Sequence, residues 1–253
     1  MEKNYKNIKI IVKGSYGCAS ATAADIIGGF VTAQPSGVLG LATGSTPEGA
    51  YTKLIEAHRT GKLDFSRITS FNLDEYHPIE NTNSQSYVYY MRDKLFNHIN
   101  IDPANTHLPN GEAPDPHAEC AVYEAKIAAA GGIGLQVLGI GLNGHIGFNE
   151  PATAFPRATN YVELEASTIN ANARFFDNAD DVPKHALTMG IGTIFSAKQI
   201  LLVVTGAAKA DIVNEAIFGD ITPQVPASIL QLHPNVTLVM DESAAAKVLE
   251  NLK

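Results

Sequence analysis

Short apolar segments alternate with longer amphipathic segments along the whole chain. The apolar segments predict strands at residues 8–12, 38–42, 68–73, 135–139, 200–205 and 236–240. The segments between them have helical periodicity and predict helices at residues 19–32, 47–59, 84–96, 116–130, 209–218 and 243–249. Apolar strands separated by amphipathic helices indicate an α/β protein with a mainly parallel sheet and helices on both faces. We expect a single domain spanning the 253 residues.

Composition and charge narrow the classes of partner. The net charge is −8, from 18 basic and 26 acidic residues, and no basic run occurs, so nucleic acid is not an expected partner. The longest apolar runs, such as residues 200–204, are too short to span a membrane. Residues 1–9 are polar and contain no apolar signal core, and the two cysteines have no CxxC spacing. These features predict a cytoplasmic protein without a membrane partner.

Ligands of parallel sheets bind at the carboxyl ends of the strands, and the most informative segment follows the strand at 135–139. It reads Gly139-Ile140-Gly141-Leu142-Asn143-Gly144-His145-Ile146-Gly147-Phe148-Asn149-Glu150-Pro151. Glycines allow sharp turns and close approach to a ligand. An imidazole and a carboxylate at such a turn can exchange a proton near neutral pH, so His145 and Glu150 are candidate catalytic residues.

The strand at 38–42 is followed by a candidate anion site. Thr43, Gly44, Ser45 and Thr46 precede Pro47, which suits the first position of a helix, with Thr46 as the expected N-cap. The free amides and hydroxyls of such a turn can bind an anion. An ordinary capped turn between strand and helix is the alternative interpretation.

Two adjacent acids, Asp74 and Glu75, end the apolar strand at 68–73. Strands disfavour aspartate, so we expect one of the two carboxylates to face the ligand crevice. It could take a proton from carbon, or it could simply cap the next turn. The residues alone do not choose between these roles.

Two cations could complete an anion site. Lys209 follows a glycine turn at a predicted helix N-terminus, where a positive charge is unfavourable unless an anion is near. Arg174, beside two phenylalanines, could be a bidentate phosphate ligand or a surface arginine that packs its aliphatic stem. The other histidines lack ligand spacing, so no metal is expected. Together, the candidate anion site, Asp74 and the His–Glu pair suggest proton-transfer chemistry on a small phosphorylated metabolite.

Several long motifs resemble the glucosamine-6-phosphate deaminase family. They are LATGSTP at 41–47, FNLDEY at 71–76, GLNGHIGFNEP at 141–151, ANARFFDN at 171–178, VPKHALTMGIGTI at 182–194 and SILQLHP at 228–234. The resemblance extends from about residue 36 to 242. It implies a modified Rossmann-like domain that converts glucosamine 6-phosphate and water to fructose 6-phosphate and ammonia, with neither a metal nor an organic cofactor.

The resemblance also implies roles for individual residues. Asp74 lies where the family keeps the base that moves a proton between C2 and C1, His145 where it keeps the ring-opening residue, and Glu150 where it keeps the carboxylate partner of that histidine. Arg174 and Lys209 match phosphate ligands, and the turn Thr43-Gly44-Ser45-Thr46 matches the loop that contacts the phosphate. Residues 156–185 resemble the mobile lid of the family.

The chain departs from the best-known allosteric members at two places. Those members have aspartate where this chain has Asn143, which can orient His145 but cannot stabilise its cation as a charge would. They also have basic residues for an activator phosphate where this chain has Asn160 and Val162. We therefore expect a monomer or a small homo-oligomer rather than an allosteric hexamer, without activation by N-acetylglucosamine 6-phosphate.

Two rival functions share this fold. A 6-phosphogluconolactonase has a similar glycine loop with histidine, but it does not need the base of FNLDEY and does not continue into GFNEP. A non-catalytic sugar-phosphate sensor would carry a helix-turn-helix domain, for which the sequence shows no segment.

Overall fold

The computed structural model describes residues 1–173, 176, 178 and 181–252. Its strands are β1 Glu2–Tyr5, β2 Ile8–Lys13, β3 Val38–Leu41, β4 Thr69–Asn72, β5 Asp74–His77, β6 Thr106–His107, β7 Leu135–Leu138, β8 Asn160–Glu163, β9 His185–Thr188, β10 Gln199–Val204 and β11 Val236–Asp241. Within the described residues, eight of them form a sheet in the order β1-β2-β11-β10-β7-β3-β4-β6. Only β1 runs antiparallel to its neighbour there. The predicted, mainly parallel sheet is confirmed.

Helices cover both faces of this sheet. The α-helices of the described residues are α1 Tyr16–Ala33, α2 Ser45–Arg59, α3 Tyr87–Lys94, α4 Pro116–Ala129, α5 Ala166–Asn172, α6 Ile191–Phe195, α7 Ala210–Phe218 and α8 Ala246–Asn251, of which α5 packs at the small sheet described below. One core cluster joins the sheet to α1, α2 and α3 through residues such as Ile27 and Tyr51. A second cluster joins the opposite face to α4, α6, α7 and α8 through residues such as Ile127 and Val213.

The buried strands are apolar on both faces because both faces are covered. In β10, Leu201 and Val203 belong to the first core cluster, and Ile200, Leu202 and Val204 belong to the second. Successive side chains of a strand point to opposite faces, so a strand between two helical layers needs an unbroken apolar run. Because of this requirement, the apolar runs in the sequence predicted the ends of the central strands to within one or two residues.

A second sheet was not predicted. Strands β5, β9 and β8 form an antiparallel sheet in that order, with Asp74 opposite Thr188. Leu73 is the one residue between β4 and β5, so the chain passes from the first sheet to the second immediately before Asp74. An aromatic and aliphatic cluster that includes Tyr76, Phe148 and Leu164 packs against this small sheet. Asp74 therefore lies at the junction of the two sheets.

The prediction that Thr46 caps the second helix is wrong. Helix α2 begins at Ser45, its N-cap is Gly44, and no side chain caps it. Gly44 has φ +90°, a conformation that glycine adopts without the strain other residues incur, so the chain turns into the helix early. The third helix also begins later than predicted, at Tyr87, with Ser86 as its N-cap.

No helix in the described part of the chain combines the length and the hydropathy needed to cross a membrane.

Gly40 tests the packing of the central sheet. A Cβ atom at this buried position in β3 would collide with the side chain of Gln136 in β7. We expect Gly40→Ala to lower the free energy of unfolding by about 1–3 kcal/mol, because overpacking a dense interior forces neighbours out of their rotamers. Urea denaturation followed by circular dichroism measures this loss.

The matched control is Gly29→Ala. Gly29 is exposed in α1, and a Cβ atom there meets nothing within 4 Å. This substitution should leave stability unchanged or raise it by about 0.5–1 kcal/mol. Equal losses in both variants would contradict the packing argument.

Candidate active site

Four neighbouring strands end at the same edge of the large sheet. In sheet order these are β10, β7, β3 and β4, and all run parallel. The segments that follow them are 205–209, 139–150, 42–46 and 73–74, which contain the described residues of the predicted site. Arg174, the remaining predicted residue, lies outside the described residues.

The crevice opens between β3 and β7. The chain leaving β3 enters α2, which packs on the first core cluster through Tyr51. The chain leaving β7 places Ile140 and Ile146 in the cluster on the opposite face. Connections that leave adjacent strands toward opposite faces leave a gap between them, which is where open α/β sheets bind ligands.

His145 and Glu150 form a hydrogen-bonded pair in the segment after β7. Nδ1 of His145 lies 3.2 Å from Oε2 of Glu150, and the Glu150 side chain is nearly buried. Asn143 orders both partners, because its Nδ2 donates to Oε2 of Glu150 at 2.6 Å and its Oδ1 accepts the backbone N–H of His145 at 3.2 Å. Asn143 thus orients the pair through hydrogen bonds, without carrying a charge of its own.

The second oxygen of Glu150 is held by Thr168 in α5. The hydroxyl of Thr168 donates to Oε1 of Glu150. Burial acts to raise the pKa of Glu150, but the hydrogen bond and charge of His145, with the hydrogen bonds of Thr168 and Asn143, hold that pKa below its ordinary value. Glu150 is therefore held as a carboxylate that can orient the imidazole.

Two glycines shape this segment around the histidine. The imidazole of His145 occupies the space that a Cβ atom on Gly141 would need. Gly147 has φ +59°, and a Cβ atom there would lie 2.9 Å from Oγ1 of Thr188 and 3.5 Å from Oδ2 of Asp74. The close approach of Gly147 brings the Asp74 carboxylate beside the segment that carries His145.

The two adjacent acids have separate roles in the structure. Oε1 of Glu75 accepts the N–H groups of Tyr76 and Tyr87 at 2.9 and 2.8 Å, and Oε2 accepts that of Val88 at 2.9 Å. Glu75 thereby caps the start of α3. Asp74 forms no side-chain hydrogen bond with any described residue. The capping role that the sequence left open thus belongs to Glu75.

Burial perturbs both acids. Burial, and secondarily the charge of Glu75, raises the pKa of Asp74 to about 8. Burial also raises the pKa of Glu75 to about 7, against the three N–H groups that favour its charged form. A carboxyl group whose pKa lies near neutrality can both accept and return a proton at physiological pH, which suits a general acid–base.

The turn after β3 and the segment after β10 carry groups that are suited to binding an anion. None of the backbone N–H groups of residues 43–46 donates a hydrogen bond to a described residue. Nζ of Lys209 donates to the carbonyl of Ile140 at 2.7 Å, which brings this cation to the segment after β7. The carboxylate of Asp241 accepts the N–H of Gly206 and orders the turn before Lys209.

Sequence reasoning missed two residues of the site. Thr168 contacts Glu150, and the Tyr87 hydroxyl interacts electrostatically with the side chains of Thr43 and Tyr76. Burial, then the neighbouring Tyr76 and Asp74, raises the pKa of Tyr87. Neither residue follows a strand of the large sheet, so the search along strand ends could not find them.

Neither metal ligands nor the surface cleft beside α3 point to a second site. No cluster of three or more His, Cys, Asp or Glu side chains that could hold a metal occurs among the described residues. The cleft between α3 and residues 101–110 is lined by residues such as Val88, Arg92 and Ile101, and by none of the predicted site residues. The hydrogen-bonding and titratable groups instead locate the candidate site at the strand ends.

Comparison with known proteins agrees with this geometry. Residues 18–239 match the family described as glucosamine-6-phosphate isomerases/6-phosphogluconolactonase. The chain belongs to this family.

Its relatives include proteins named glucosamine-6-phosphate deaminase. The one from Clostridioides difficile is 53% identical over 241 residues, which cover 95% of this chain and 97% of the relative. The one from Lachnoclostridium phytofermentans is 54% identical, covering 92% and 98%. A solved structure of a monomeric glucosamine-6-phosphate deaminase superposes with a TM-score of 0.92 at 46% identity, covering 94% of this chain and 99% of the other. A 6-phosphogluconolactonase from Trypanosoma cruzi, at 21% identity and a TM-score of 0.77, shares the fold.

Thr168 tests the electrostatics of the pair. In Thr168→Val the carboxylate of Glu150 loses a donor, so its pKa should rise, whereas Thr168→Ser retains the hydroxyl and should leave it unchanged. The titration of Glu150, followed by NMR of its labelled side-chain carboxyl carbon, measures both. A midpoint in Thr168→Val that stays at or below the wild-type value would show that the hydroxyl does not stabilise the carboxylate.

Proposed function

We propose that this protein is a glucosamine-6-phosphate deaminase, which converts glucosamine 6-phosphate and water to fructose 6-phosphate and ammonia. The observation that carries the proposal is one edge of a parallel sheet that holds both the His145–Glu150 pair and the buried Asp74. These groups suit two successive proton transfers. Relatives of about 50% identity that carry this name support the same reaction.

The first step assigned to this site is opening of the sugar ring. A proton must leave the O1 hydroxyl and reach the ring oxygen, and an imidazole can carry it at neutral pH. We assign this transfer to His145. Glu150, ordered by Asn143 and Thr168, orients the imidazole and favours one of its tautomers.

The second step is proton transfer from C2 to C1. The C2 proton is acidic only when C1 is a free carbonyl, so ring opening must come first. We assign the base to Asp74, whose side chain forms no hydrogen bond with the described residues and whose pKa is raised to about 8. After Asp74 returns the proton at C1, water adds at C2 and the amine leaves as ammonia.

The substrate phosphate is assigned to the anion-binding groups. The N–H groups of the turn Thr43-Gly44-Ser45-Thr46 and the positive end of α2 suit an anion. The hydrogen bond from Lys209 to the carbonyl of Ile140 brings this cation to the segment after β7. Arg174 is assigned to the phosphate by its position in the ANARFFDN motif. The expected ligand is a hexosamine phosphate, without metal or cofactor.

We also propose that the chain is one domain with a lid at residues 156–185. The start of this segment is fixed, because Oε1 of Glu124 accepts both the N–H and the hydroxyl of Thr159 at 2.6 Å. Further along, α5 lies over the site through the bond from Thr168 to Glu150. A segment anchored at its start and in contact with the reactive pair could exclude water during the proton transfers.

A lactonase is the second candidate because the fold is shared. Lactone hydrolysis requires no carbon base, so it leaves the burial and raised pKa of Asp74 without a use. A sugar-phosphate sensor leaves the His145–Glu150 pair without a use as well. The deaminase is the function that uses all these groups.

Asp74→Asn tests the assigned base. Asparagine cannot accept the carbon proton, so ammonia release from glucosamine 6-phosphate should fall about 10²–10⁴-fold. The control is Asp25→Asn, the same change on the exposed side of α1, which should keep full activity. Ammonia is measured with a coupled enzymatic assay, and hydrolysis of 6-phosphogluconolactone is followed in parallel. A wild-type protein that hydrolyses the lactone and releases no ammonia would overturn the deaminase assignment.

The same variant has an expected effect on stability. The folded state favours protonated Asp74, so its stabilising contribution is fully present below the ordinary pKa of 3.8 and is lost as the pH rises to about 8. The Asp74→Asn variant does not lose stability in this way, because asparagine does not ionise. The melting temperature of the variant relative to wild type should therefore be higher at pH 8.5 than at pH 5, measured by differential scanning calorimetry.

Assembly and regulation provide a further test. We propose that the protein is located in the cytoplasm and is a monomer or small homo-oligomer. Two observations support this assembly: Asn160 and Val162 stand where the allosteric members have basic residues, and a similar solved deaminase is described as monomeric. Light scattering should give a mass near 26.9 kDa, or a small multiple of it. Saturation curves should be hyperbolic with or without N-acetylglucosamine 6-phosphate. Sigmoidal curves that this compound makes hyperbolic would contradict the proposal.

A further inference from the structure

Three tyrosine hydroxyls hold the backbone carbonyls of the turn after β3. Tyr51 of α2 donates to the carbonyl of Ala42 at 2.6 Å. Tyr90 of α3 donates to that of Gly44 at 2.7 Å, and Tyr16 of α1 donates to that of Ser45 at 3.0 Å. Three different helices therefore fix the turn. We call these three side chains the tyrosine cradle.

The cradle determines where the amides of the turn point. In a trans peptide the carbonyl of one residue and the N–H of the next point in opposite directions. When Tyr90 holds the carbonyl of Gly44, it also directs the N–H of Ser45 away from α3. Because none of the N–H groups of residues 43–46 donates to a described residue, these donors remain available to a ligand on the side opposite the tyrosines.

Apart from the hydrogen bond from Tyr90, little restrains the turn at Gly44. Gly44 has φ +90°, and a Cβ atom on it would meet nothing within 4 Å, so no side-chain packing fixes the residue. Glycine has more backbone freedom than any other residue. The hydrogen bond from Tyr90 restricts this freedom at the peptide that must face an anion.

Helix α3 also connects the turn to the assigned base. Glu75, adjacent to Asp74, caps the first turn of α3. From the same helix face, Tyr90 donates a hydrogen bond to the carbonyl of Gly44, and the Tyr87 hydroxyl interacts electrostatically with the side chain of Thr43. Residues three apart lie on one face of a helix, so α3 contacts the turn with two successive side chains. The helix therefore fixes the distance between the turn and Asp74.

We propose that Tyr90 is a positioning residue that aims the Gly44–Ser45 peptide at the phosphate of the substrate. The proposal rests on the function assigned above. Tyr90 is the member of the cradle that can be tested cleanly, since its hydroxyl has one hydrogen bond and its ring is only partly buried. Tyr51 is fully buried in the core, and Tyr16 also accepts the N–H of Gly49.

The experiment compares Tyr90→Phe with Tyr89→Phe. Both substitutions remove one hydroxyl from α3, but Tyr89 is exposed and its hydroxyl forms no hydrogen bond with the described residues. In Tyr90→Phe the dissociation constant for inorganic phosphate, measured by isothermal titration calorimetry, should rise about 3- to 10-fold, the effect of losing one neutral hydrogen bond. KM for glucosamine 6-phosphate should rise by the same factor, and kcat should stay within about twofold. Tyr89→Phe should change none of the three.

Three other results would each overturn the proposal that Tyr90 positions the anion donors. An unchanged phosphate dissociation constant in Tyr90→Phe would show that the hydroxyl does not position the anion donors. A fall in kcat with KM unchanged would place the effect on the chemistry instead, and equal effects in both variants would indicate a general property of α3. A wild-type protein that releases no ammonia would refute the proposed function, whereas phosphate titration would still decide the role of Tyr90.

Discussion

The candidate site depends on a constraint of parallel sheets: neighbouring strands that run in one direction end at one edge. Four adjacent strands, β10, β7, β3 and β4, obey it here. The segment that follows each strand leaves toward one face of the sheet or the other. The segments after β3 and β7 leave toward opposite faces, and the gap between them is the crevice. Groups that are far apart in sequence, including Asp74, His145 and Lys209, are brought to this edge by strand pairing alone. The hydrogen bonds of the site then refine positions that the sheet has already determined.

Burial gives the acidic groups of this edge different properties. Glu150 is nearly buried but receives donors from Asn143, His145 and Thr168, which keep it charged. Asp74 is buried without such donors, and its pKa rises toward neutrality. The same side-chain chemistry therefore supplies an orienting carboxylate at one position and a proton-exchanging group at another. The difference comes from the neighbours of each group: Glu150 has three donors and the charge of His145, whereas Asp74 has no side-chain donor and faces the charge of Glu75.

Helix α3 connects Asp74 to the turn proposed to bind the phosphate. Its start is capped by Glu75, and its side chains bond the turn that contains Gly44. A helix is stiff, so a cap at one end and hydrogen bonds along one face define a fixed spacing between the two parts of the site. The antiparallel sheet of β5, β8 and β9 supports the other side of Asp74. Groups held in this way are preorganised for a ligand.

The sequence by itself determined six of the eight strands of the large sheet, all but β1 and β6, together with six of the helices and the segment of His145 and Glu150, because these follow from local periodicity and short spacing. It did not determine which of Asp74 and Glu75 caps a helix, since that depends on the approach of α3 from a distant part of the fold. Only the tertiary structure revealed the small sheet, the contact of Thr168 and the hydroxyl of Tyr90 behind Gly44. Such contacts join residues distant along the chain, and local sequence patterns carry no record of them.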